Sequence, residues 1–256
     1  MNEIAVGTAR VPYRTLGAGR PLVLVHGTSR GSRGWDGVAE SLEETNTVVL
    51  PDLSGSDAAR DDGGELTVDI LTDQLAAVIT AVGGGPADVV GHSMGAPVVA
   101  ALAARRPDLV RRLILVAGFA GQGDEYFRNA ITVFRGLAPY PKLFARYAML
   151  VAFSPAHVAT LDPAGVEELA TAYQPRPGRL RQLDFDLRLD VRDVLPEIQA
   201  PTLVIACTRD ALVSVANPRE MAALIPGAAY TEVDAGHMLT AEQPAVFVKL
   251  VREFLD

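Results

Sequence analysis

The residues best placed to do chemistry lie in the pentapeptide Gly91-His92-Ser93-Met94-Gly95. It follows the apolar run ADVV and precedes APVVAALAARR, so a strand, a turn and a helix are expected in that order. A serine hydroxyl is a weak nucleophile unless it is presented in the open beside a base. A sharp strand-to-helix turn does this only if flanking side chains are absent, and Gly91 and Gly95 supply that clearance. The helix that begins near Met94 also directs free backbone N–H groups at the place where an oxyanion would develop. The lone thiol, Cys207, lies in TLVIACT with no base beside it and reads as a core residue rather than a second nucleophile.

A turn of this kind needs a sheet to carry it, and short apolar runs recur along the chain. Two marginal segments near Ile4–Val6 and Tyr13–Leu16 are followed by stronger strand candidates at 21–27, 45–52, 87–93, 110–118, 202–210 and 229–237. Between them, Val68, Leu71, Leu75, Val78, Ile79 and Val82 keep helical spacing until Gly83-Gly84-Gly85-Pro86 ends it. Val246, Phe247, Leu250, Val251 and Phe254 give the C-terminal helix one apolar face. This alternation predicts an α/β fold, with a mostly parallel eight-stranded sheet flanked by helices.

From Phe119 to Asp190 the rhythm breaks, with helical patterns punctuated by Pro139, Pro141, Pro155, Pro163, Pro175 and Pro177 and no buried strand. We expect an inserted helical cap over 119–190, on a core domain made of 1–118 and 191–256. The insertion holds ten of the 15 aromatic residues. These could form a packed core of their own, or some of them, Phe119, Phe127, Phe134 and Tyr147 among them, could line an apolar substrate pocket. Trp35, in HGTSRGSRGW, is expected at a helix start, with a place on the pocket wall as a secondary reading.

The GHSMG motif, the pair His26-Gly27 after a strand and the terminal pair Gly236-His237 resemble the α/β-hydrolase superfamily over essentially the whole chain. The resemblance implies a triad in the chain order serine, acid, histidine, met here by Ser93, Asp210 and His237. Asp210 closes one strand run and His237 follows another 27 residues later, so both should emerge at the sheet edge that carries Ser93. His237 is then the general base and Asp210 the acid that fixes its tautomer. Asp124 is the alternative acid that some superfamily members would favour, and Asp234 reads as a loop carboxylate. The resemblance also implies backbone oxyanion donors at Met94 and Thr28. His26 and His92 are read as structural, and His157 as solvated or locally bonded. The family's glycine-rich turn is altered here to Asp52-Leu53-Ser54-Gly55-Ser56-Asp57, which weakens analogy about the substrate. A serine nucleophile, rather than an aspartate, argues against the epoxide-hydrolase and haloalkane-dehalogenase branches.

Composition limits the rest. The net charge of −8 is spread along 256 residues, which argues against a nucleic-acid or anionic-membrane surface. No segment has the apolar length of a membrane span, the first ten residues do not resemble a secretion signal, and one cysteine cannot form an internal disulfide, so a cytoplasmic location is expected. No cofactor and no metal are expected, and oligomeric state is not legible. The expected function is hydrolysis of an ester, lactone or thioester with an apolar portion through an acyl-Ser93 intermediate. The same constellation leaves open carbon–carbon bond hydrolysis, perhydrolysis, polyketide release or cyclisation, and non-hydrolytic cyclase or lyase chemistry, as well as a receptor-like role with little turnover.

Overall fold

The computed structural model describes residues 2–28, 31–121 and 124–256. Eight strands run through it: β1 (Asn2–Val6), β2 (Ala9–Leu16), β3 (Arg20–Val25), β4 (Asn46–Pro51), β5 (Ala87–His92), β6 (Val110–Val116), β7 (Thr202–Cys207) and β8 (Ala229–Val233). They form one sheet in the order β1-β2-β4-β3-β5-β6-β7-β8. β2 is antiparallel to β1 and β4, whereas the pairs from β4 through β8 are parallel. The expected eight-stranded, mostly parallel sheet is therefore present. The apolar runs overshoot several strands at their C-terminal ends, because chain that has left the hydrogen-bonded ladder, such as His26, Asp52 and Ser93, is still buried.

Both faces of the sheet are covered, which explains the nearly unbroken apolar runs. Side chains alternate across a strand, so in β3 Leu22 and Leu24 pack on one face and Val23 and Val25 on the other. The first face meets Trp35, Leu42, Phe247 and Val251. The second meets α1 (Val68–Gly83) and α2 (Gly95–Arg105). Thr67 caps α1 by accepting the Ile70 N–H at 3.2 Å, and Gly84 ends it in the left-handed region at φ 64°.

Between β6 and β7 lie α3 (Glu125–Gly136), α4 (Pro141–Ala152), α5 (Pro155–Val158), α6 (Pro163–Ala172) and α7 (Pro177–Asp186). Four of these helices open on a proline, which lacks only an N–H that the first turn leaves unpaired anyway. Four of the six prolines that look like interruptions in the sequence, Pro141, Pro155, Pro163 and Pro177, are thus helix starts, while Pro139 and Pro175 lie just before two of them. Phe119, Phe127, Phe134 and Phe144 from this segment belong to the same buried cluster as the α1/α2 face of the sheet, so the aromatic residues do not form a separate core. The chain closes with α8 (Ala216–Leu224), α9 (Leu239–Glu242) and α10 (Pro244–Leu255). Among the described residues no helix is long and apolar enough to cross a membrane.

Candidate active site

In a parallel sheet, loops after the strands open on one edge, and the loops after β5, β7 and β8 bring Ser93, Asp210 and His237 together there. The chain reverses sharply at Ser93, whose φ is 55°, a conformation that L-residues rarely adopt. Its N–H donates to the Val116 carbonyl at 2.9 Å, and its own carbonyl accepts from Ala96 N–H at 2.9 Å. A Cβ on Gly91 would lie 2.5 Å from the Gly95 carbonyl oxygen, and one on Gly95 would lie 2.6 Å from that of Val25. The two glycines let α2 approach the strands closely enough for the turn to form.

His237 links the other two residues. Its Nε2 accepts the Ser93 hydroxyl at 2.8 Å, and its Nδ1–H donates to Asp210 Oδ2 at 2.6 Å. Asp210 Oδ1 accepts the backbone N–H groups of Leu212 and Val213, each at 2.8 Å, so the carboxylate is fixed from two sides. With a carboxylate at Nδ1, the lone pair of the neutral ring faces Ser93. The histidine and aspartate side chains are 5% and 1% exposed, which keeps the pair out of competing water.

The other carboxylates and histidines have separate tasks. Asp124 caps α3, accepting from Phe127 N–H at 2.7 Å, Ser214 Oγ at 2.9 Å and Asn217 Nδ2 at 3.0 Å. Asp234 is exposed and paired with Arg209. His157 stacks on Phe153. His26 donates through Nδ1 to the Gly27 carbonyl at 2.8 Å and accepts Leu53 N–H at Nε2, 3.1 Å away. Burial lowers its pKa and keeps it neutral. His92 donates its Nε2–H to the carbonyl of His237 at 2.9 Å. Burial, then the nearby His237, push it down to about 3. Cys207 is buried at the end of β7, and burial with the charges of Asp210 and Glu242 pushes its thiol up, away from a reactive thiolate.

A mostly apolar pocket opens beside Ser93 and His237. Trp35, Phe119, Phe127 and Phe134 are on its wall, as are Thr28 and Tyr173. Tyr147 is not on that wall and has to be reassigned. Its ring packs against Phe134 with 5.7 Å between centroids, and its hydroxyl donates to the Ala130 carbonyl at 3.1 Å. A half-buried phenol needs such a partner, and α3 supplies it away from the cavity. Met94 is fully buried after the turn, and neither its N–H nor that of Thr28 has an acceptor among the described residues. Residues 52–57 do not reach the cavity wall. Gly55 instead lies under α7, where a Cβ would sit 2.7 Å from Gln182 Cγ.

Two carboxylates that sequence reasoning missed also belong to this region. Asp186 closes α7, is 3% exposed and lies on the pocket wall, with its Oδ2 accepting the Thr28 hydroxyl at 2.6 Å. Glu242 in α9 accepts Gly236 N–H at 3.1 Å, beside His237, and also holds Ser154. Nothing in the local sequence distinguishes either from a surface acid.

The model of the alpha/beta hydrolase family matches residues 22–250. The chain belongs to that family. As an alpha/beta hydrolase it is similar to the pyrrolizixenacetamide deacetylase of Xenorhabdus hominickii, 36% identical over 260 residues that cover 100% of this chain and 98% of the relative. It is 32% identical to the putative carbamate hydrolase RutD of Azorhizobium caulinodans, over 97% of this chain and 96% of the relative. Its backbone superposes on the enol-lactonase from Burkholderia xenovorans LB400 with a TM-score of 0.90, over 99% of both chains at 24% identity, a likeness of fold.

Proposed function

We propose that this alpha/beta hydrolase cleaves a carboxylic acyl bond in two steps through an acyl-Ser93 intermediate. The observation that carries the reading is the pair of hydrogen bonds that His237 makes, 2.8 Å to Ser93 Oγ and 2.6 Å to Asp210 Oδ2. As Oγ attacks the acyl carbon, Nε2 takes its proton and Asp210 stabilises the resulting imidazolium. The tetrahedral oxygen is received by the N–H groups of Met94 and Thr28. His237 then returns the proton to the leaving group, and water attacks the acyl-serine by the same route in reverse. Residues 119–190 act as a cap that brings aromatic side chains over this edge and favours an apolar substrate.

Among acyl bonds, an amide or carbamate C–N bond is favoured alongside the ester. Two relatives above 30% identity bear the names of a deacetylase and a putative carbamate hydrolase.

The test is labelling by a fluorophosphonate, which reacts with an activated serine, followed by turnover of matched N-acetyl amides and acetate esters. Labelling should occur at Ser93 in the parent and vanish in Ser93→Ala and His237→Ala. A folded parent that is not labelled would overturn the reading.

A further inference from the structure

The two backbone donors proposed for the oxyanion are fixed in different ways. Met94 is the N-cap of α2, so the helix itself sets its N–H. Thr28 lies in the loop after β3. A Cβ on Gly27 would sit 2.8 Å from Ser93 Cβ, so the chain passes directly against the nucleophile at this point. The Gly27 carbonyl accepts His26 Nδ1–H at 2.8 Å. In a trans peptide the carbonyl and the following N–H point in opposite directions, so Thr28 N–H is turned away from the His26 ring. One hydrogen bond still lets the peptide plane tilt. The Thr28 side chain supplies a second anchor, a bond of 2.6 Å to Asp186 Oδ2 that spans 158 residues. It holds whether the carboxyl group is ionised and accepts from the hydroxyl or is protonated and donates to it.

Asp186 is firmly mounted on α7. A Cβ on Gly178 would lie 2.5 Å from the Gly55 carbonyl oxygen, and Arg181 holds Asp61 through two bonds of 2.8 and 3.1 Å. The carboxyl group is 3% exposed and has no hydrogen-bond or ion-pair partner other than Thr28 among the described residues. A buried carboxyl group with so few partners weakens a fold, so stability does not explain its place. We propose that Asp186 is a positioning residue: through the Thr28 hydroxyl it aims Thr28 N–H at the oxyanion, so that the helical segment between β6 and β7 completes the oxyanion hole. The inference rests on the acyl-Ser93 reading and its Thr28 donor.

The experiment measures kcat and KM for p-nitrophenyl butanoate in the parent, Thr28→Val, Asp186→Leu, Asp186→Asn and the double variant Thr28→Val/Asp186→Leu. Valine matches threonine in shape and keeps the backbone N–H, so it removes the tether alone. Each loss of the tether should lower kcat by roughly 10- to 100-fold with KM within about twofold, since deleting an oxyanion donor outright costs on the order of 100- to 1,000-fold. Both changes delete the same contact, so the double variant should be no slower than the slower single one. Asp186→Asn still offers Thr28 a partner and should recover most of the loss. Affinity for 1,1,1-trifluoroheptan-2-one reads the same donor independently. Ser93 Oγ adds to its carbonyl carbon, the C=O electron pair moves onto oxygen as a hemiketal oxyanion, and His237 Nε2 keeps the serine proton. This affinity should fall with kcat, whereas heptan-2-ol, which only fills the pocket, should inhibit all variants alike. Losses that multiply in the double variant overturn the proposal, as does a parent-like kcat in Thr28→Val, or ketone and alcohol affinities that fall together. If Asp186→Leu does not fold, Thr28→Val and Asp186→Asn carry the same comparison. Ketone affinity that survives Ser93→Ala would instead overturn the underlying acyl-serine reading.

Discussion

Glu242 holds Ser154 through both of that residue's donors, the backbone N–H at 2.6 Å and the hydroxyl at 2.7 Å. A third bond, from Gly236 N–H at 3.1 Å, places the same carboxylate beside His237. One side chain therefore fastens the histidine loop to the helical segment between β6 and β7. Glu242→Ala should lower stability by about 2–3 kcal/mol, because it removes charge-assisted bonds and leaves partly buried donors unpaired. Urea unfolding would measure this. An unchanged midpoint with an unchanged kcat would refute the coupling.

The φ of 55° at Ser93 is a conformation that glycine adopts without penalty. Ser93→Gly and Ser93→Ala both delete the hydroxyl, so their difference isolates the backbone. The glycine variant should be more stable by about 1 kcal/mol. That corresponds to a Tm roughly 2–4 °C higher for a chain of this size. An alanine variant that melts at the same temperature or higher would show that the turn stores no strain.

Acid should loosen the fold through His92. Burial holds its pKa at about 3 in the folded protein, against 6.5 for a solvated imidazole. Between these values the unfolded chain takes up a proton that the folded chain refuses, so stability falls as pH drops from about 6.5 towards 3. The loss attributable to this ring between pH 7 and pH 4 is on the order of 3 kcal/mol, and His26, also lowered by burial, acts in the same sense. His92→Gln keeps an N–H donor and should flatten part of the profile in urea titrations run at several pH values. A variant whose profile overlays that of the parent would exclude His92 as a source.

Asp186 should act in the opposite direction. Its folded value of about 8 lies above the 3.8 of a solvated aspartate, so from about pH 4 to pH 8 the unfolded chain ionises while the folded chain keeps its proton. Stability drains away over that range as pH rises. Asp186→Asn lacks this penalty, and its advantage over the parent should grow by a few kcal/mol between pH 4 and pH 8. A constant difference in unfolding free energy across the range would count against a buried neutral carboxyl.

What could be read from the sequence depended on how local the physical signal is. β5, the turn at Ser93 and α2 were legible because one stretch of 19 residues contains the apolar run, both glycines and the helix. Asp210 and His237 could be nominated from the strand runs that precede them, since a parallel sheet sends both loops to one edge. β1, at the sheet edge, and its neighbour β2 were only marginal because β1 has no buried residue and β2 buries just three in a row. Tyr147 was misplaced on the wall because aromatic content says nothing about which way a helix turns. Asp186 and Glu242 were invisible: their partners, Thr28 and Ser154, are 158 and 88 residues away. Charged residues are ordinarily read as solvated, and only the assembled fold reveals Asp186 as buried and Glu242 as half-buried and bonded.

The 144 residues that separate Ser93 from His237 also have a consequence in time. At a synthesis rate of about 5–20 residues per second, the serine leaves the ribosome roughly 7–30 s before the imidazole that accepts its proton. Throughout that interval the hydroxyl is an ordinary alcohol, with neither its acceptor nor the β8 loop that delivers it. On the acyl-Ser93 reading proposed above, a nascent chain is thereby kept harmless to the acyl compounds around it until the fold is nearly complete.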